Sequence, residues 1–229
     1  MEDILCAGGV PLDGDALRRF RLYYALLTER NRVMNLTAIT GERDVALLHF
    51  LDCAALLRAA DLRGASVVDV GSGAGFPGLV LKIAEPSIRL TLLDSLGKRV
   101  DFLRDTCEKL GFSDVTCLQR RAEETPSDLR EGFDFAVARA VAPLNILCEL
   151  CMPLVSPGGL LLAMKGKNAA EELTEAQSAI SKLGGADSDI FFYNIPFTDI
   201  SHAVVRVKKG SPTPTAYPRR FAKIQKSPL

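Results

Sequence analysis

The stretch Val67-Val68-Asp69-Val70-Gly71-Ser72-Gly73-Ala74-Gly75-Phe76-Pro77-Gly78 constrains this chain more than any other. Apolar positions carrying a single acid run into three alternating glycines and then into Leu79-Val80-Leu81. That order reads as a buried strand, a tight turn and a helix start. Glycine has no Cβ, so the backbone N–H groups at the end of the strand can come close to a ligand. The stretch therefore reads as a cofactor loop.

Two cofactor classes fit the glycines. Gly73-x-Gly75-x-x-Gly78 matches the dinucleotide fingerprint, which taken alone is weak. Asp69 separates the classes, because it is an acid inside the strand, two residues before the first glycine. A carboxylate there repels a pyrophosphate but suits the cationic amino group of S-adenosylmethionine, directly or through water. Asp94 closes Leu90-Thr91-Leu92-Leu93-Asp94, 21 residues after Gly73, where either cofactor presents its ribose hydroxyls. The second acid fits both cofactors and the first favours the methyl donor.

Composition narrows the setting. A length of 229 residues suits one core plus an appendage. No apolar run approaches the ~20 residues of a membrane span, and Met1-Glu2-Asp3 opens with acids rather than a basic leader, so a cytoplasmic location is expected. Cysteines 6, 53, 107, 117, 148 and 151 form no regular framework and read as reduced thiols. Cys148-Glu149-Leu150-Cys151 is formally C-x-x-C, but it has no second pair beside it and lies in an apolar run, which favours core filling. With His49 and His202 as the only histidines, no histidine-rich metal site can be built, and none is expected. Of 28 bases, seven lie after Asp199 (Arg206, Lys208, Lys209, Arg219, Arg220, Lys223 and Lys226), where there is no acid. An acidic body with a basic tail is hidden by a net charge of zero.

Apolar positions Leu17, Phe20, Tyr23, Tyr24, Leu27 and Met34 predict an amphipathic helix from Asp13 or Asp15 to about Asn35. Thr40 is predicted to cap a second helix running to about Ala60, and residues 1–64 form a helical N-terminal cap. Strands and helices alternate over 65–210. Strands are predicted at Val67–Val70, Ile88–Asp94, Val115–Leu118, Phe133–Ala138, Leu160–Met164, Ile190–Ile195 and Ala203–Lys208. Helices are predicted at Gly78–Ala84, Lys98–Leu110, Pro143–Leu154 and, capped by Asn168, to about Leu183. This alternation implies an α/β fold with a mostly parallel sheet, and right-handed crossovers put the loops after the strands on one ligand-bearing edge. Residues 211–229 remain as a basic, proline-punctuated arm.

The ligand-bearing edge carries Asp69 and the glycine loop, Asp94, Arg121-Ala122-Glu123-Glu124, Arg139 and Lys165-Gly166. The set holds no Ser-His-acid arrangement, metal cluster or Walker lysine, which suits methyl transfer, where the enzyme mainly positions a nucleophile. Glu123 beside Ala122 can hold the adenine rim. After the fourth strand, Ala138-Arg139-Ala140-Val141-Ala142-Pro143 has neither the Asn/Asp-Pro-Pro-aromatic run of amino-group methylation nor the Pro-Cys pair of pyrimidine-carbon methylation. A ring nitrogen such as guanine N7 needs neither device. Arg139 either bonds a guanine O6 edge or a phosphate, or pairs with a sheet-end carboxylate such as Asp69.

Asn35-Leu36-Thr37, the loop Asp69 to Gly78, Leu93-Asp94-Ser95-Leu96-Gly97-Lys98-Arg99-Val100-Asp101-Phe102-Leu103, Arg121-Ala122-Glu123-Glu124, Ala138-Arg139-Ala140 and Met164-Lys165-Gly166 together resemble the bacterial 16S ribosomal RNA guanine-N7 methyltransferase family, also called the glucose-inhibited division protein B family. The resemblance spans essentially the whole chain. It implies a class I S-adenosylmethionine-dependent methyltransferase fold, Rossmann-like with a seven-stranded mostly parallel sheet and a helical N-terminal cap. The reaction implied is methylation of a guanine in 16S ribosomal RNA of the small ribosomal subunit, by a chain expected to be a monomer.

By similarity, donor contacts fall on Gly71, Phe76, Asp94, Ala122, Glu123 and Arg139, with Gly73 in the same loop. Arg139, Lys165, Arg219, Arg220 and Lys223 are expected to orient the RNA, and no residue is assigned to proton transfer. The tail departs from the Pro-Arg-Lys-x-Gly-x-Pro-x-Lys-x-Pro-Leu type: Pro218-Arg219-Arg220-Phe221-Ala222-Lys223-Ile224-Gln225-Lys226-Ser227-Pro228-Leu229 lacks the glycine and the inner proline. The alternatives are a methyltransferase for another RNA position or a small molecule, and a non-catalytic Rossmann nucleotide-binding protein. Asn35-Leu36-Thr37 gains no role from sequence reasoning.

Overall fold

Alternate residues along each central strand enter opposite cores, as expected for parallel strands covered on both faces. Val67, Leu90, Leu92, Val137 and Leu162 join one buried cluster, and Val68, Val70, Leu93, Ala136, Ala138 and Leu161 join the other. The computed structural model describes residues 1–124 and 128–229. Its strands are β1 (Ser66–Val70), β2 (Arg89–Asp94), β3 (Thr116–Gln119), β4 (Phe133–Arg139), β5 (Val155–Lys165), β6 (Gly185–Asn194) and β7 (Ser201–Lys209). They form one sheet in the order β3-β2-β1-β4-β5-β7-β6. All pairings are parallel except those of β7, which runs antiparallel to both neighbours. The chain winds outward in one direction from β1 and in the other from β4, so their carboxyl ends flank the switch point where ligands bind in such sheets.

On the first face lie α1 (Glu2–Ala7), α2 (Gly14–Met34), α3 (Glu42–Val45), α4 (Asp52–Ala54), α5 (Leu56–Ala59), α6 (Gly78–Ala84) and α7 (Gly97–Leu110). The side chain of Asp13 caps α2 by accepting the Ala16 N–H at 2.7 Å, and α2 stops at Asn35, whose φ of 49° is left-handed. The second helix differs from expectation. Gly41, not Thr40, holds its N-cap, and between α3 and α4 the chain makes a π-helical turn over Ala46–Leu51. Such turns are rare and favour functional sites. Among the described residues no helix is long and apolar enough to cross a membrane.

The second face carries α8 (Leu144–Cys151), α9 (Ala169–Glu175), α10 (Gln177–Lys182) and α11 (Phe221–Lys226). Pro143 precedes α8 rather than opening it, and the last turn, Met152–Leu154, is 3₁₀ with Pro153 inside it. The polar helix expected to 183 breaks at Ala176 into α9 and α10, and α1 and α11 were not anticipated.

Residues 211–229, expected as an arm, fold back onto α8. The Arg130 guanidinium donates to the carbonyls of Thr213, Pro214 and Tyr217 at 2.5, 3.2 and 2.8 Å. Lys209, fully buried, donates to Met152 O and Thr213 Oγ1. In α11, Ala222 and Ile224 stand where the family-type tail has glycine and proline. Both accept helical backbone, and Ile224 is fully buried.

Glu149, also fully buried, accepts three bonds from Arg219, from its backbone N–H at 2.9 Å and its guanidinium at 2.8 and 2.5 Å. Arg219→Ala strands a buried carboxylate, whereas Glu149→Gln leaves an arginine that can swing to water. The first is expected to cost about 3 kcal/mol and the second clearly less, as read from urea unfolding. Equal losses would mean that the lost pairing, and not the stranded carboxylate, sets the cost.

Candidate active site

The glycine loop is tied to its neighbours before any ligand arrives. Gly71 and Ser72 donate their N–H groups to Leu93 O at 2.8 and 3.1 Å. Gly71 has a φ of 74°, and a Cβ on it would lie 2.7 Å from Val141 Cγ2, so glycine is required by both backbone and space. Asp94 accepts the Gly73 N–H at Oδ2 and the Leu96 N–H at Oδ1, both at 2.9 Å. Gly71, Asp94, Ala122, Glu123, Leu150 and Phe221 line a cleft of about 290 Å³ at this edge. Gly73 serves the cleft through its bond to Asp94.

Asp69 lies fully buried beneath the loop. Its Oδ2 accepts the Gly78 N–H at 2.8 Å, and a Cβ on Gly78 would stand 2.7 Å from that oxygen. Among the described residues its Oδ1 is buried with no hydrogen-bond partner. Burial pushes the Asp69 carboxyl up to about 7, against the opposing Gly78 N–H and Arg139 charge. A buried, orphaned acceptor under a glycine loop, with a second acid at the end of β2, matches the charge and polarity of S-adenosylmethionine, although Asp69 itself lines neither cleft.

The N-terminal cap braces the other side of the loop. Tyr23 donates its hydroxyl to Ala74 O at 2.7 Å, and Phe76 packs among Tyr23, Phe50 and His49, with ring centroids 5.5, 6.3 and 4.4 Å away. The Arg139 guanidinium lies 4.8 Å above the Phe76 ring. Its N–H groups reach Asp52 Oδ2 and Leu48 O, each at 3.2 Å, and His49 Nδ1 at 3.0 Å. Arginine can only donate, so Nδ1 accepts and the His49 proton sits on Nε2, which donates to Thr37 Oγ1 at 2.8 Å. Burial and the Arg139 charge lower the His49 pKa to about 4, which keeps the ring neutral. Asn31 in turn binds the Thr37 N–H and C=O, both at 2.8 Å. Asn35-Leu36-Thr37 thus has a physical role: the left-handed end of α2 turns the chain back so that Thr37 seats His49.

Asp52 joins the cap to the far sheet edge. Tyr193 Oη and His202 Nδ1 both bond its Oδ1, at 2.7 and 2.8 Å. Burial raises its pKa, but these bonds and Arg139 outweigh that, and the carboxyl sits below the ordinary range. His202 is raised by its bond to Asp52. A second cleft, about 760 Å³, is lined by His49, Asp52, Arg139, Lys165, Glu172 and His202 among others. It shares Ala140 and Val141 with the first.

Arg139 therefore pairs with Asp52 rather than Asp69, because the π-helical turn brings Asp52 within reach while the glycine loop covers Asp69. Lys165 donates to Glu172 Oε2 and Ala142 O, both at 2.7 Å, on the wall of the second cleft. Arg219 is committed to Glu149, whereas Arg220 and Lys223 are exposed. Sequence reasoning missed Tyr23, His49, Asp52, Tyr193 and His202. The two histidines carried the available signal, being the only ones in the chain. No group of three or more metal-ligating side chains occurs among the described residues, and all six cysteines are free, with Cys148 and Cys151 buried.

A doubly wound seven-stranded sheet with this acid-flanked glycine loop at its switch point is that of a class I S-adenosylmethionine-dependent methyltransferase. A SAM-dependent methyltransferase from Aquifex aeolicus superposes with a TM-score of 0.55 over 72% of this chain and 93% of its own, at 18% identity. A family model described as rRNA small subunit methyltransferase G matches residues 16–198, and the chain belongs to that family. Relatives named Ribosomal RNA small subunit methyltransferase G agree. The one from Acetivibrio thermocellus is 43% identical over 96% of this chain and 92% of its own, and the one from Pelotomaculum thermopropionicum 45% over 96% and 94%.

Proposed function

We propose that this chain transfers a methyl group from S-adenosylmethionine to N7 of a guanine in 16S ribosomal RNA. The observation that carries the reading is the meeting of two clefts across Ala140 and Val141, one built for the donor and one large enough for a nucleotide. Bound S-adenosylmethionine supplies a methyl group activated on a sulfonium. Asp94 takes the ribose side, Ala122 and Glu123 the adenine side, Gly71 and Gly73 the loop, and Asp69 the amino group. Phe76 and Arg139 hold the partition between the clefts, and Arg139 and Lys165 orient the acceptor.

Guanine N7 offers a free lone pair, so no proton has to leave before attack. Positive charge then grows on the purine beside the ion pairs Asp52–Arg139 and Glu172–Lys165 that line the second cleft. Arg220 and Lys223 neutralise RNA phosphates, while Arg219 acts through docking the tail.

The test is incorporation of labelled methyl into small-subunit RNA, free and within small subunits, with nucleoside analysis of the product. The expected product is 7-methylguanosine. A different methylated nucleoside, or no incorporation despite donor binding, overturns the reading. Arg220→Ala/Lys223→Ala is expected to flatten the slope of log affinity against log salt by about 1.5, roughly 0.7 to 0.9 per phosphate contact. An unchanged slope in filter binding removes these residues from the RNA surface.

A further inference from the structure

We propose that Phe221 forms the adenine-side wall of the donor cleft, so that the C-terminal segment is part of the donor site. Phe221 opens α11, is half-buried, and lines the 290 Å³ cleft together with Leu150, Ala122 and Glu123. Among the described residues lining that cleft it is the single aromatic. Asp94 marks the ribose side, and the 3₁₀ turn Ala122–Glu124 after β3 marks the side where a purine ring lies. Phe221 packs on the same buried cluster as Ala122 and Leu150 and lines the cleft with them. A purine needs a flat apolar surface there, and neither Ala122 nor Leu150 offers one, whereas an aromatic ring stacks on any base.

The placement is held from both directions. Two residues before Phe221, Arg219 is bonded three times to Glu149, the neighbour of Leu150 on α8. Three residues after it, Ile224 is fully buried in the same cluster as Leu150. Further back, Arg130 grips three carbonyls between Thr213 and Tyr217. A segment fixed at this many points delivers Phe221 to one place. The exposed bases Arg220 and Lys223 flank it, so the residues proposed to meet RNA and the residue proposed to meet adenine share one short stretch.

The inference rests on the donor reading of the first cleft, and calorimetry with S-adenosylhomocysteine separates the two. If the parent protein binds no S-adenosylhomocysteine, the donor reading itself fails. If it binds, Phe221→Ala is expected to weaken affinity about tenfold, the order of one lost base–aromatic stack, with the donor KM raised and kcat largely kept. Phe221→Tyr, which keeps the ring, is expected to restore affinity. Unchanged affinity in Phe221→Ala overturns the inference. A loss that tyrosine does not repair overturns it too, since that marks a structural fault.

The chain has no tryptophan, so Phe221→Trp creates a lone fluorophore. Its emission is expected to change saturably with S-adenosylhomocysteine, while that of Phe197→Trp, at an exposed position in the β6–β7 connection, stays constant. A Phe221→Trp protein that binds by calorimetry without any change in emission overturns the assignment.

Discussion

Asp69→Asn is expected to make the ligand-free protein more stable at pH 8 and a poorer binder of its donor. The carboxyl of Asp69 titrates near 7 in the fold against 3.8 in an ordinary setting, a gap of about 3 units or roughly 4 kcal/mol. Because the folded value is raised, its contribution to stability is complete below pH 3.8 and disappears as pH climbs through 7. Asparagine removes the cost of holding a buried charge and can still accept the Gly78 N–H. Its melting temperature in the absence of donor is expected to exceed the parent's by roughly 5 °C or more at pH 8, with the difference shrinking toward pH 5. Donor affinity is expected to fall about tenfold or more, since the cationic amino group loses its counter-charge. Melting curves across pH with and without S-adenosylhomocysteine check both parts, and undiminished donor affinity in the variant would remove Asp69 from the donor site.

Arg139→Ala is expected to reduce methyl transfer to below about 1% of the parent rate, a loss on the scale of a mispositioned reactant. This guanidinium lies over Phe76, binds Asp52 and fixes His49, so its removal loosens the glycine loop and the cap together. Stability should fall by about 3 kcal/mol, because Asp52 stays buried without its arginine. Arg139→Lys restores charge without the planar fork, so it is expected to recover stability in part and activity hardly at all. Single-turnover rates with saturating donor, set beside thermal melts, check this. A lysine variant with parental turnover would reduce Arg139 to a source of charge.

The glycine loop, the strand centres and the acid that closes β2 were legible because each depends on neighbours a few residues away, although β5 and β6 each begin five residues before the expected start. Local pattern placed α6 at Gly78–Ala84, and α7 starts one residue before its predicted boundary. The partition between the clefts was not legible. Asp52 meets Arg139 across 87 residues and His202 across 150, and no local periodicity carries such pairings. The π-helical turn that presents His49 and Asp52 sits in an apolar run that reads as ordinary helix. In the tail, flanking prolines and bases pointed to an open arm. The buried Glu149 that captures Arg219 lay inside a C-x-x-C run read as core, and α11 is too short to show a period.

In the loop after β4, Ala140 lies between Arg139 and Val141. It has a φ of 56°, a left-handed value that a non-glycine residue adopts at a cost of about 1–2 kcal/mol, and it is exposed beside Val141. These two residues are the stretch that both clefts have in common among the described residues. On the reading proposed above, the methyl group and its acceptor meet where these two side chains border both clefts. Bulk added at Ala140 is then expected to narrow that opening and slow methyl transfer, while calorimetry with S-adenosylhomocysteine still finds donor affinity close to the parent's.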